Sequence, residues 1–224
     1  MKINEISSKS IDSLRVICCL IVLTSHIYEL TTGVLNNPFN EWVSFAAVGI
    51  FFFLSGYVNY ISFKNKNDVL FFWKKRVKRI YPAFTVAVSI SILLAICFDV
   101  FMFEDITAYF FTSHWLFNTI ETNPALWSLS YEAFLYFVFP AFLIVKNKLF
   151  WRFLALCCIL IVFNNFSAFI MLLCFIFGVI WAKYNKGFFK LDFFSKYGKW
   201  TYEVYVFHYP ALYLLFESYR RFIA

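Results

Sequence analysis

Long apolar runs separated by short polar stretches cover nearly the whole chain. Seven stand out: Ser13–Leu30, Trp42–Ser62, Ile80–Phe98, Leu126–Val145, Leu149–Phe163, Ser167–Ala182 and Thr201–Tyr219. A helix needs about 20 largely apolar residues to cross a bilayer, so each run is a candidate span. The fifth and sixth are short and joined by Asn164 and Asn165, and they read equally as one bent or re-entrant hairpin. Lipid offers the backbone no hydrogen-bond partners, so segments at this depth must be helical. The pattern therefore predicts an all-α, polytopic transmembrane helix bundle of about seven spans. No internal repeat or low-complexity linker divides it, so residues 1–224 read as a single domain. Lys2 and Lys9 precede the first run as in a secretion signal, but no small-residue cleavage site follows and the run holds Arg15 and His26; it reads as a retained span.

Composition strengthens this. Of the residues, 62% are hydrophobic and 15% charged, whereas soluble domains are about half apolar and a quarter charged. The net charge of +7 is not spread for nucleic acid, which is excluded as a partner. Lys2 and Lys9, the cluster from Lys64 to Arg79, the group Lys146, Lys148 and Arg152, and Lys183 to Lys199 fall in alternate loops. The intervening loops carry Glu41, Asp99, Glu104, Asp105 and Glu121, and His114, read as a solvated loop residue. The positive-inside rule then places the amino terminus and the basic loops in the cytoplasm of a cell with this inner (plasma) membrane. Arg220 and Arg221 run against the rule, since they fall outside if the last run crosses. The six cysteines lie within apolar runs and lack CxxC spacing, so they read as small buried hydrophobes, with no metal site.

Ionisable groups inside spans are expensive and face a bundle interior or an aqueous cavity. Arg15 and His26 are eleven positions apart, within about 20° of whole turns, so they share one helix face roughly 16 Å apart. His26 fits a general base working near neutral pH, or equally a histidine hydrogen-bonded between helices. Glu132 is expected about 10 Å below the outer face on the fourth span and His26 about 6 Å below it on the first, a similar depth at which the two can meet. A carboxylate there fixes the imidazole tautomer; a purely structural bond is the alternative. Ser128 lies on the same turn, among Trp127, Ser130 and Tyr131. Arg76 and Arg79, before Tyr81 and a Pro82 suited to a first helical turn, form a possible phosphate clamp or simply obey topology. Tyr205 and His208, an i,i+3 pair, share a face of the last run.

Five segments then stand in a telling order: Arg15 through His26, Gly49 to Tyr57, Arg76 to Pro82, Trp127 to Glu132, and Tyr197 through His208 to Pro210. Together they resemble membrane acyltransferase family 3, whose members O-acylate sugars and other hydroxyls. The resemblance implies acyl-CoA, commonly acetyl-CoA, as co-substrate rather than a bound cofactor, and a glycan or other hydroxyl acceptor at the cell surface. It implies His26 as the essential catalytic residue with Arg15 as its partner, and Arg76 and Arg79 as donor-side contacts. Glu132 and His208 are motif positions. The family usually has about ten spans; relative to it, a pair between the Glu132 helix and the closing motif and the final span are missing, which strands Arg220 and Arg221. Glu203 replaces a small polar residue. A shortened scaffold or subunit working with a partner or a second copy, and a small-molecule carrier, are the rival readings.

Overall fold

The computed structural model describes residues 5–33, 37–113, 118–144, 166–184, 187–188 and 190–223. His114, the group Lys146, Lys148 and Arg152, and the expected fifth span lie outside the described residues. Within them every element is helical: α1 (Glu5–Thr32), α2 (Pro38–Lys66), α3 (Val69–Cys97), a 3₁₀ helix (Phe103–Phe110), α4 (Leu126–Ile144), α5 (Phe166–Lys183), a second 3₁₀ turn (Ser195–Trp200) and α6 (Thr201–Ile223). Four of these, α1 from Ser7, α2, α3 and α5, are long and apolar enough to cross a membrane. The described residues thus show four candidate spans and not the seven expected, and α4 and α6 are not among the four. Those two carry Ser128, Glu132, Tyr205 and His208, and helices shielded by neighbours need not be apolar all round. On α3, Val86, Ile90 and Leu93 form an exposed stripe, 51%, 38% and 60% accessible. A soluble domain would hide it; lipid need not.

Local chemistry explains the boundaries. The Asn37 side chain accepts from the Phe39 amide at 3.1 Å and Pro38 opens α2. At its other end Asn67 takes the left-handed conformation (φ 52°), and Asp68 at once caps α3 by accepting from the Phe71 amide at 3.0 Å. The basic cluster is therefore helical, and α3 begins eleven residues before the expected start at Ile80. Pro82 sits inside α3 rather than in its first turn, because the Asp68 cap starts the helix.

Helices α2 and α5 touch backbone to backbone. A Cβ on Gly56 would lie 2.1 Å from the Phe175 carbonyl oxygen, and one on Gly178 1.9 Å from that of Phe53. Small residues at such a crossing let membrane helices approach. Helix α6 runs alongside α1 in the same direction: Gly198 abuts Asp12, Cys19 Sγ reaches the Thr201 carbonyl at 3.8 Å, and His26 meets His208.

The segment after α3 is not the solvated loop its acidic residues suggest. It folds back along α3, with Ser89 and Tyr109 hydroxyls 2.7 Å apart and Phe111 stacked on Phe84 at 4.0 Å. Thr122 donates to the Ser91 carbonyl at 2.7 Å, and Asn123 bridges Ser91 and the Val206 carbonyl. Helix α4 consequently starts beside Ser91, well below the end of α3. The unexpected charges of α6 find work at that end: Arg221 donates to the Phe98 carbonyl at 3.1 Å and covers its ring, where the α3 dipole favours a cation. Arg220 pairs with Glu217 at 2.9 Å.

Candidate active site

Helix α1 carries the imidazole and one guanidinium on a common face, as its spacing requires. His26 Nδ1 lies 3.0 Å from Glu29 Oε2, one turn on. The other carboxylate oxygen, Oε1, accepts from Asn40 Nδ2 at 3.1 Å, and the same amide donates to the Ser25 carbonyl. Glu29 is thus held from α2 while it holds His26. An acceptor on Nδ1 fixes the proton there and leaves the Nε2 lone pair free to take another. The ring stacks on His208, centroids 5.3 Å apart, with Tyr209 edge-on at 5.0 Å. His208 is buried; its Nδ1 lies 2.6 Å from the Tyr205 carbonyl, and its Nε2 has no hydrogen-bond partner among the described residues.

Toward the amino-terminal end of α1 lies a cleft in which Arg15, Arg79, Ser55, Glu132, Ser128 and Tyr202 stand among apolar side chains such as Phe51, Phe52 and Leu129. Arg15 pairs loosely with Asp12 at 3.7 Å, and Arg79 is exposed at the mouth. Glu132 accepts from Ser55 at 2.9 Å and, through a short bond, from Tyr136; Ser55 also receives Asn59 Nδ2 at 3.2 Å. Ser128 and Tyr205 hydroxyls meet at 2.7 Å, and Tyr205 in turn packs on His208, ring centroids 5.5 Å apart. A line of hydroxyl and imidazole groups thus leads from the cleft toward His26. The cleft itself has room for only about 70 Å³.

Two expectations change. The carboxylate on His26 is Glu29, not Glu132: because the preceding segment sinks α4 to the level of Ser91, Glu132 lies at the depth of Arg15 and Ser55. Arg76 and Arg79 also part company. Arg79 lines this cleft, whereas Arg76, buried between the rings of Phe72 and Tyr136 at 5.2 and 5.4 Å, lines a separate apolar groove. Glu29 and Asn40 were the missed residues. Glu29 was detectable at i,i+3 from His26; Asn40 belongs to another helix and carried no signal. Among the described residues no cluster of side chains is arranged to hold a metal.

A family model described as an acyltransferase domain, acyltransferase 3, matches residues 8–170. That stretch is most of the chain and holds Arg15, His26, Glu29, Arg79 and Glu132. The chain belongs to the acyltransferase 3 family. Within it, this acyltransferase 3 chain is 29% identical over 162 residues to "Peptidoglycan O-acetyltransferase OatA" of Listeria monocytogenes, covering 62% of the chain and 24% of that relative. It is 32% identical over 123 residues to "O-acetyltransferase OatA" of Staphylococcus aureus, covering 45% and 20%. The matched stretch is thus a quarter or less of the length of these relatives. No solved structure matches. The fold and family together make this a membrane protein, with the closing α6, beyond residue 170, supplying Tyr205 and His208 to the site.

Proposed function

We propose that this chain moves an acetyl group from acetyl-CoA to a hydroxyl of a cell-surface glycan, with peptidoglycan the leading acceptor class. The reading is carried by one observation: an imidazole with a carboxylate on Nδ1 stands on the same helix face as a guanidinium at a cleft. With the amino terminus in the cytoplasm of the plasma membrane, Arg15 and Arg79 meet the phosphates of the coenzyme. Its arm follows the α1 face past Ser128 and Tyr205, and the cleft widens to admit it. The acceptor hydroxyl gives its proton to His26 Nε2 while its oxygen bonds to the thioester carbon. The tetrahedral adduct collapses, the carbon–sulfur bond breaks, and the thiolate recovers the proton from the imidazolium that Glu29 stabilises. Names of the relatives and family membership support the donor and acceptor classes; a partner subunit or second copy is compatible with the short matched length.

The test is mass spectrometry of envelope glycans from cells producing unmodified or His26→Gln protein at equal levels. Acetylation is expected to fall by at least about a hundredfold. Undiminished acetylation removes the proposal.

A further inference from the structure

Beside the cleft, on the far side of Tyr136 and Ile80, a second and larger space runs between α3, α4 and the segment that folds back along α3. It offers about 770 Å³, lined by Trp73, Val77, Phe111, Ala133, Phe134 and Phe137 among others. Its rim faces outward: Val77, Phe110 and Phe137 are 58%, 76% and 64% exposed. In a membrane protein that exterior is lipid, so the natural filler of an apolar groove here is a hydrocarbon chain.

Arg76 lines this groove. It is 94% buried by side-chain packing (6% exposed), and its Nε and Nη2 have no hydrogen-bond partner among the described residues. The flanking rings of Phe72 and Tyr136 stabilise the cation but offer its N–H edge no acceptor. A buried guanidinium stays charged and is costly without a paired anion. Groove and cation together describe an amphiphile: one apolar tail and one anionic oxygen cluster at the Trp73 end. From Trp73 to Tyr81 the wall is about 12 Å long, suited to part of a lipid tail rather than a compact soluble ligand.

We infer that this groove seats one anionic glycerophospholipid of the surrounding membrane, its phosphate paired to Arg76, where a choline headgroup would set a second cation beside the guanidinium, and an acyl chain laid along α3 and α4. The site is separate from the donor cleft, and the inference stands whether or not the chain transfers acetyl groups.

The full chain is reconstituted in phosphatidylcholine nanodiscs doped with phosphatidylglycerol or phosphatidylcholine carrying a diazirine on one acyl chain, and labelled peptides are mapped. The phosphatidylglycerol probe is expected to label residues 73–81 and 130–137 about tenfold more than the phosphatidylcholine probe. Arg76→Gln should bring the two probes level, Arg76→Lys should retain part of the preference, and Ala133→Trp, which fills the groove, should remove both labels. His26→Gln and Arg79→Gln should leave labelling unchanged while acetyl transfer falls, so the two proposals fail separately. Equal labelling by both probes in the unmodified protein, or a preference surviving Arg76→Gln, overturns the inference. Loss of the preference on adding inorganic phosphate also overturns it, in favour of a soluble anion. If Arg76→Gln does not elute as a monodisperse species, the Arg76→Lys and Ala133→Trp results decide.

Discussion

Glu29 grips one nitrogen of His26 while Asn40 ties its second carboxylate oxygen, so the imidazole is oriented from two helices at once. Glu29→Gln keeps the size but presents an amide that no longer stabilises an imidazolium. Its kcat for acetyl transfer should fall about a hundredfold with KM for acetyl-CoA nearly unchanged; an equal rise in KM would assign Glu29 to donor binding instead. Arg79→Gln should do the reverse. Loss of one charge-assisted contact to phosphate should weaken acetyl-CoA binding roughly tenfold, read by calorimetry, with a shallower dependence on salt. At this scale the sequence singled out Arg15 and His26 because ionisable groups inside an apolar run are costly and need a partner or a cavity. It did not single out Glu29, one position before the run ends at Leu30. The different surroundings of Arg76 and Arg79 were hidden for another reason: they depend on where the Tyr136 ring of a distant helix falls.

Helix identities were legible from apolar run length, and the turn between α2 and α3 could be read in Asn67 and Asp68, a left-handed residue followed by a cap. Depth was not. Run boundaries cannot reveal that Tyr109 and Phe111 press back against α3, or that Thr122 and Asn123 direct their polar groups to Ser91, because the acidic groups of this segment mimic a solvated loop. That one misjudged segment displaced Glu132 from its expected place beside His26. Packing between elements gives a sharper forecast. Gly178→Leu puts a side chain where the Phe53 carbonyl already lies and should destabilise the protein by at least about 3 kcal/mol, seen as a lowered Tm in detergent. Gly187→Ala, whose Cβ would meet Ser7 Oγ only at 3.5 Å, should leave Tm nearly unchanged; equal losses would show that the α2–α5 crossing is not specially tight.

For the whole molecule, the bundle separates two chemistries that the sequence ran together. A hydroxyl-lined cleft with Arg15 and Arg79 lies on one side of Tyr136, and a hydrocarbon-lined groove with Arg76 on the other. The orphan charges at the chain's far end are likewise absorbed by the architecture, since Arg221 finishes the carbonyl end of α3. With room for about 70 Å³ the cleft is too small for a coenzyme, so the proposed function requires it to open. Where α2 lies on α5, carbonyl meets Cα with no side chain between them to rotate aside, and the two helices travel as a single plank. Between α2, α3 and α4 the filling is instead the rings of Phe63, Phe72 and Phe139, centroids 5.7 to 6.2 Å apart, side chain against side chain. On the proposed function, a donor would be admitted at the α3–α4 wall, where side chains and not backbone would have to give way.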